Sequence, residues 1–547
     1  MRGIDLASCA LALSISTLSA AAPAEVLARR TFTILQINDL YKIEGLEAGR
    51  FGGLARVRTL RRELEAGGGS VLVLHAGDFL FPSVMSKYFK GRPMIDALNL
   101  LDGDAGAFDP RLVVVPGNHE FDDPDPGVLL GRMAESDFRW VDSNLRYCRA
   151  RHSCGERFSA RLRNVEDTIV VEVSGVRVGI FGLTANLNDP GYVAYDDDPA
   201  ERRSLIAAAL EDLKSKGAEV RIALTHETLR EDLDLAAAYP EIDLIVGGHE
   251  HEFSQRRVGR TWITKADADA RSVVVCDVTV SPSGEVDAAP RQVTLGEDVV
   301  PDTAVGAVVE RWQAELARTI DKPFEVVAMT ESRLEGEERA VRSRETALGN
   351  FLADVMRDRS HADVALLNGG AIRIDDDIVP GPIRRIDLEG VFYFDDAIVS
   401  FELTGAELLD LLRISASGVG ASNSGFLQVG GIRFGYRIEG AEESRAVRVD
   451  PAAVEIKLRN TDVFVPLDLS RRYVVSTLDY FWANGHRDGY PLFSQGRQGG
   501  SSPKRLDTGA RIGWRKATED AIAALPGRRV TARIDGRIER LGGGAAP

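Results

Sequence analysis

Between Pro116 and Asp122 the chain reads Pro-Gly-Asn-His-Glu-Phe-Asp, crowding an amide (Asn118), an imidazole (His119) and two carboxylates (Glu120, Asp122) into one short stretch. This set suits a metal ligand beside a proton donor steadied by a carboxylate. Four more segments carry similar side chains: Asn38-Asp39-Leu40-Tyr41, Gly77-Asp78, Thr225-His226-Glu227, and Gly-Gly-His-Glu-His from Gly247 to His251. A pair of hard divalent ions needs a shared anionic oxygen and a shell of nitrogen and oxygen donors around each ion. Any one of these motifs is weak, since Gly-Asp and Gly-His are common in turns. All five in order are strong grounds for a two-metal site.

The elements around them set the geometry. Short apolar runs at residues 33–37, 71–74, 112–115, 176–181, 222–224 and 244–246 predict strands. Asp39, Asp78, Asn118, His226 and His249 each come two to four residues beyond the end of one of them. Ligand sites in α/β sheets form outside the carboxyl ends of strands, so the five segments are expected to converge. Amphipathic stretches at 53–65 and 199–216 lie between the strands; the second starts behind Asp198 with Pro199 and stops at Gly217. The alternation predicts an α/β layered domain over residues 31–299. Val305, Val308, Val309, Trp312, Leu316 and Ile320 are spaced for one helix face, which makes 300–323 a linker helix. A second mixed α/β domain is expected over 324–541, beginning with a helix at 346–359, and a disordered tail over 542–547.

The bulk properties narrow the partners. A length of 547 residues implies two or three domains, and a net charge of −16 argues against a nucleic-acid polymer. A small phosphate ligand held by local arginines or metal ions remains compatible with that charge. Residues 1–24 read as a secretory signal peptide, with Arg2, an apolar stretch and small residues at its end, which implies a periplasmic or secreted protein. No later segment is apolar enough for a transmembrane anchor. Cys148 and Cys154 close a short polar loop where a disulfide is plausible, whereas Cys276 in a Val-rich run reads as a buried thiol.

With these motifs in view, the chain resembles a two-domain 5′-nucleotidase, whose N-terminal domain is a calcineurin-like metallophosphatase layered β-sandwich. The resemblance implies two divalent metal ions (zinc, manganese or similar). Asp78 would bridge them, Asp39 and His251 would complete the first shell, and Asn118, His226 and His249 the second. His119 would face the transferred phosphoryl group, oriented by Asp122. One departure stands out: the family usually has Asp-x-His in the first motif, where this chain has Asp39-Leu40-Tyr41. Tyr41 either ligates the first ion as a phenolate or only packs and hydrogen-bonds. His251, where the family often has Gln or Asn, would partly compensate. His75 reads as a supporting or core histidine, and Glu120, Glu227 and Glu250 as residues that orient ligands or face solvent.

In the second domain, Val341-Arg-Ser-Arg-Glu-Thr346 presents guanidinium groups ahead of a helix, and Asn368-Gly-Gly-Ala-Ile-Arg373 is a Gly-rich turn after an apolar run. Arginine forks suit phosphate oxygens. By the resemblance, Arg342, Asn368 and Arg373 hold substrate, Phe394 and Phe481 stack on the base, and Asp488 contacts substrate from a loop one residue longer than usual. The expected activity is removal of phosphate from 5′-nucleotides or related nucleoside phosphoesters by metal-activated water. Two alternatives are action on cyclic nucleotides, nucleotide sugars or sugar phosphates, and a nucleotide-binding protein with low turnover. Oligomeric state is not legible.

Overall fold

Strict alternation along the N-terminal strands sends side chains to two different cores. In the strand Arg30–Ile37, Phe32 and Ile34 point into one apolar cluster while Leu35 and Ile37 join another. The first cluster is shared with Val178, Ile180, Ile222, Leu224 and Val246 of a second sheet, so the two sheets pack face to face. The computed structural model describes residues 29–541 apart from 152, 187–189, 420–422, 440–445, 459–460, 494–502 and 507–510. The signal peptide and the tail expected at the two termini lie outside the described residues.

One sheet has the strand order Val286–Thr294, Ser272–Val280, Arg30–Ile37, Val71–His75, Asp109–Val114, Phe138–Val141, Val165–Glu166. The other runs Ser254–Val258, Thr261–Lys265, Leu244–Gly247, Val220–His226, Val176–Thr184, Thr168–Val173. Arg30–Ile37, Val71–His75 and Asp109–Val114 pair in parallel, as do Val176–Thr184, Val220–His226 and Leu244–Gly247. All six predicted strands are present. Helices Leu54–Ala66 and Pro199–Ser215 cover the outer faces, the second capped by the Asp198 carboxylate, which accepts from Ala200 N and Glu201 N. Together these layers make the α/β layered domain anticipated from the alternation.

Helix Thr303–Thr319 follows. Val305 and Val309 pack into the N-terminal core, while Leu316 and Ile320 meet Met85 and the edge of Ile386 from the second half. The C-terminal half is mixed α/β. Its five-stranded sheet runs Leu427–Gly430, Val364–Asn368, Arg472–Leu478, Ala397–Thr404, Ile512–Gly513, with helix Ala347–Ser360 packed against it. The Cys148–Cys154 disulfide is formed, and Cys276 is a buried free thiol whose pKa burial pushes up to about 12. Among the described residues, no helix is long and apolar enough to cross a membrane.

Candidate metal and phosphate site

The carboxyl ends of parallel strands from both sheets open on the same side, and there the backbone is bent to aim polar side chains inward. Asp39 (φ 49°), Asp78 (φ 56°), His249 (φ 86°) and His251 (φ 58°) all occupy the left-handed region. That region costs a non-glycine residue about 1–3 kcal/mol and is held only where the surroundings demand it. Two glycines allow the loops to close up. A Cβ on Gly117 would stand 2.1 Å from Asp78 Oδ1, and one on Gly248 would stand 2.3 Å from the Ala76 carbonyl.

At the centre, ligand atoms of Asp39, Asp78 and His226 all lie within 4.8 Å of one another and are buried. His226 Nδ1 hydrogen-bonds the Ala76 carbonyl at 2.7 Å, which fixes the ring with Nε2 toward Asp78 Oδ2 at 3.0 Å. Neither His226 Nε2 nor Asp39 Oδ1 has an aligned hydrogen-bond partner. Buried polar atoms left this way mark a ligand position. Asn38 Nδ2 donates to Asp39 Oδ2 at 2.8 Å, and His249 N donates to the same oxygen at 2.8 Å. The His249 ring centroid lies 5.4 Å from that of His226, and His251 Nε2 lies 3.4 Å from Asp39 Oδ1. Asn118 is buried directly behind Gly117.

The electrostatics ask for cations. Burial alone would raise both aspartates, yet the neighbouring imidazoles hold Asp39 and Asp78 below the usual carboxylate range. In return, and against the pull of burial, Asp78 and Asp39 lift His226 to about 9, while burial and His226 press His249 down to about 3. Two buried carboxylates this close together, with imidazoles around them, offer the anionic oxygens and nitrogen donors that divalent cations take. The donor set of aspartate, asparagine amide and histidine fits two such ions.

Tyr41 is buried at the rim. Its hydroxyl donates to Asp78 Oδ2 at 3.3 Å and lies 3.0 Å from His251 Nε2. Burial and the surrounding carboxylates push the phenol well above its ordinary pKa. His119 N donates to Asp78 Oδ1 at 2.7 Å, and His119 Nδ1 pairs with Asp122 Oδ2 at 2.8 Å. Burial disfavours its charge, but Asp122 and Asp78 outweigh this and raise its pKa.

The three glutamates are braces. Glu120 accepts from the amides of Asp78 (2.9 Å), Phe79 (2.8 Å) and Leu80 (3.0 Å), tying the second motif to the third. Glu227 pairs with Arg202 at 2.7 Å and Glu250 with Lys265 at 2.6 Å. Lys265 is fully buried; its Nζ also meets Asp232 at 2.9 Å and donates to the carbonyls of Glu227 and Gly248, each at 2.6 Å. It therefore straps the His226 loop to the His249 loop. Its place in the strand Thr261–Lys265, at the end facing the site, is the one sequence signal that could have found it. His75 is buried against Phe79, and burial lowers its pKa to about 3.

The second half closes over this pocket. Gly369 allows helix Glu338–Ser343 to touch the turn after Val364–Asn368, because a Cβ there would stand 2.3 Å from the Val341 carbonyl. That contact brings Arg342 and Asn368 together. Arg342 Nη1 pairs with Glu338 Oε1 at 2.6 Å, and Arg373 Nη1 lies 3.7 Å from Glu338 Oε2. Arg342 Nε, Arg373 Nε and Asn368 Oδ1 are buried without hydrogen-bond partners. A cavity of about 700 Å³ runs between the halves, lined in part by Tyr41, Lys42, Arg373, Asp375 and Tyr393.

The expected aromatic clamp is not formed. Phe394 is half exposed, but Phe481 is completely buried against Tyr490 and Phe493 at centroid distances of 5.1 and 5.3 Å. Its helix, Asp479–Asn484, turns that ring into the core and leaves Tyr480 outside. Asp488 accepts from Ser424 Oγ at 2.6 Å.

Residues 32–253 match the calcineurin-like phosphoesterase family and residues 326–495 the 5′-nucleotidase C-terminal domain. A snake venom 5′-nucleotidase from Naja atra is 26% identical over 91% of this chain and 98% of its own length. The 5′-nucleotidase of Homo sapiens is 25% identical over 84% of each chain. The crystal structure of a 5′-nucleotidase precursor from Thermus thermophilus superposes with a TM-score of 0.73 at 26% identity, covering 94% of this chain and all of that one.

Proposed function

Since the chain joins these two domains and so belongs to the two-domain 5′-nucleotidases, metal-dependent phosphoester hydrolases, we propose that it releases phosphate from nucleoside 5′-phosphates. The observation that carries this is the buried Asp39–Asp78–His226 cluster beside the His119–Asp122 pair. Asp39, Asp78 and His251 would hold one divalent ion, and Asp78, Asn118, His226 and His249 a second. The ions supply charge neutralisation and an activated water when bound. Tyr41 steadies Asp78 and His251 from the rim. His119, its Nδ1 engaged by Asp122, presents Nε2 toward the phosphoryl group and offers a proton to the departing alkoxide. Arg373, which lines the cavity, would orient the substrate together with Arg342 and Asn368 beside it, and Asp488 lies farther along the same half.

With Phe481 withdrawn, Phe394 is the member of the expected pair left exposed to a base, so selection among bases is weak. Stacking on one ring contributes about 1–3 kcal/mol whichever base is bound. The N-terminal signal-like segment and the Cys148–Cys154 disulfide support export to an oxidising compartment.

Hydrolysis by purified protein tests the proposal, read as phosphate release together with chromatography of the nucleotide and sugar products, over purine and pyrimidine 5′-monophosphates, cyclic nucleotides, nucleotide sugars and sugar phosphates. The 5′-monophosphates are expected to be hydrolysed with similar kcat/KM, and Asp78→Asn to abolish the activity. Hydrolysis confined to non-nucleotide esters would overturn it, as would nucleotide binding without turnover.

A further inference from the structure

His251 is held from two sides, and the two sides belong to different halves of the chain. Its Nε2 faces Asp39 Oδ1 at 3.4 Å, inside the metal pocket. Its Nδ1 lies 3.2 Å from Asp375 Oδ2, which comes from the turn after Arg373 in the C-terminal half. A metal-binding histidine characteristically gives its second nitrogen to a carboxylate, which fixes the ring and strengthens the donor. Here that carboxylate comes from across the seam between the two halves. Asp375 is itself fixed, because its Oδ1 accepts from Glu338 N at 2.8 Å.

The next two residues extend the same seam. Asp376 Oδ2 lies 3.4 Å from Lys42 Nζ and accepts from Glu47 N at 3.0 Å. Asp377 pairs at 2.7 Å with Arg333, which also reaches Glu47 at 3.2 Å. Of these side chains Asp376 grips the loop that begins at Tyr41 directly and Asp377 does so through Arg333, whereas Asp375 reaches His251 of the metal pocket.

We propose that Asp375 is a positioning residue that orients His251 from the opposite half of the chain, so that filling the first metal position and docking of the two halves are coupled. The inference rests on the two-metal reading given above. Thermodynamic linkage makes the coupling reciprocal: docking tightens the first ion, and the ion tightens docking. When the halves separate, His251 loses its acceptor.

The test uses the full chain stripped of metal by chelation. Calorimetric titration with Mn²⁺ is run on wild type, Asp375→Ala, Asp375→Asn and Asp376→Ala. Asp375→Ala is expected to weaken one binding event by about 10–100-fold and leave the other unchanged. Asp375→Asn, which keeps an acceptor oxygen, recovers much of the loss. Asp376→Ala, which loosens the seam without touching His251, weakens the first event less than Asp375→Ala does. In parallel, spin labels at Ser283→Cys and Asp462→Cys report the distance between the halves. Mn²⁺ perturbs such labels, so Zn²⁺ is used there, and it should narrow the distance distribution of wild type but not of Asp375→Ala.

An Asp375→Ala protein that titrates like wild type overturns the inference and leaves the two-metal reading standing. Equal weakening of both events also overturns it. If Asp375→Ala does not fold, the wild-type distances decide, and a distribution indifferent to Zn²⁺ overturns the inference. A wild type that binds no metal overturns both readings together.

Discussion

Replacing Gly117 by alanine inserts one methyl group at the tightest point of the site. Its Cβ would stand 2.1 Å from Asp78 Oδ1 and 2.7 Å from both Asp78 Cγ and Asp78 N. Since carbon does not approach oxygen closer than about 3 Å without strain, the carboxylate must retreat by about 1 Å. It cannot do so freely, because Oδ1 accepts from His119 N at 2.7 Å while Oδ2 meets His226 at 3.0 Å. A displacement of about 1 Å at the reacting centre costs about 100-fold in rate, equivalent to about 2.7 kcal/mol of barrier. Gly117 has no left-handed backbone requirement, so the effect comes from the methyl group alone. The assay is kcat for phosphate release at saturating metal and nucleotide, with Gly131→Ala as control. Gly131 sits in helix Pro126–Ala134 with open space where its Cβ would go, and the change there should leave kcat intact. A Gly117→Ala enzyme with wild-type kcat and metal content would refute the placement of Asp78 at the centre.

Two further perturbations follow from the same framework. Lys265→Met leaves buried Asp232 without its cation and frees both ligand loops, so stability should fall by about 3–5 kcal/mol, read as a lowered denaturation midpoint. Asp142, buried by the adjacent strand, has its pKa raised to about 7 despite the Leu145 amide that opposes the shift. Between about pH 4 and 7 its folded form stays protonated while the unfolded form ionises, so stability is lost as pH rises through that window. Asp142→Asn should match wild type below pH 4 and exceed it at pH 8 by up to about 4 kcal/mol, with a higher thermal midpoint. A variant no more stable than wild type at pH 8 would contradict the burial argument.

What could be read from the sequence was local. The strands announce themselves by β-branched runs, and each ligand follows its strand by a few residues, so the convergence of Asp39, Asp78, His226 and His249 follows from order alone. Helix Pro199–Ser215 was delimited by its cap and its terminal glycine. What escaped depends on contacts without a sequence period. Asp375 meets His251 across 124 positions and Lys265 meets Glu227 across 38. Glu338 was legible in principle, since it stands one helical turn before Arg342, yet spacing alone does not say that it would fill the fork expected to face substrate. Phe481 was expected in a ring clamp from the family resemblance alone, but with Tyr490 and Phe493 it forms part of a core. Aromatic residues near a loop serve packing more often than ligands, and only the helix rotation decides which.

The central claim is that side chains from five segments bind a pair of cations. Its most direct measurement is metal stoichiometry by mass spectrometry, on wild type and Asp78→Ala, each folded and reconstituted with Mn²⁺ or Zn²⁺ and passed through a desalting column. About two ions per wild-type chain, with both lost or strongly depleted in Asp78→Ala, is the predicted result. A wild-type protein that hydrolyses nucleotides with no bound metal, or an Asp78→Ala protein that retains both ions, would contradict it.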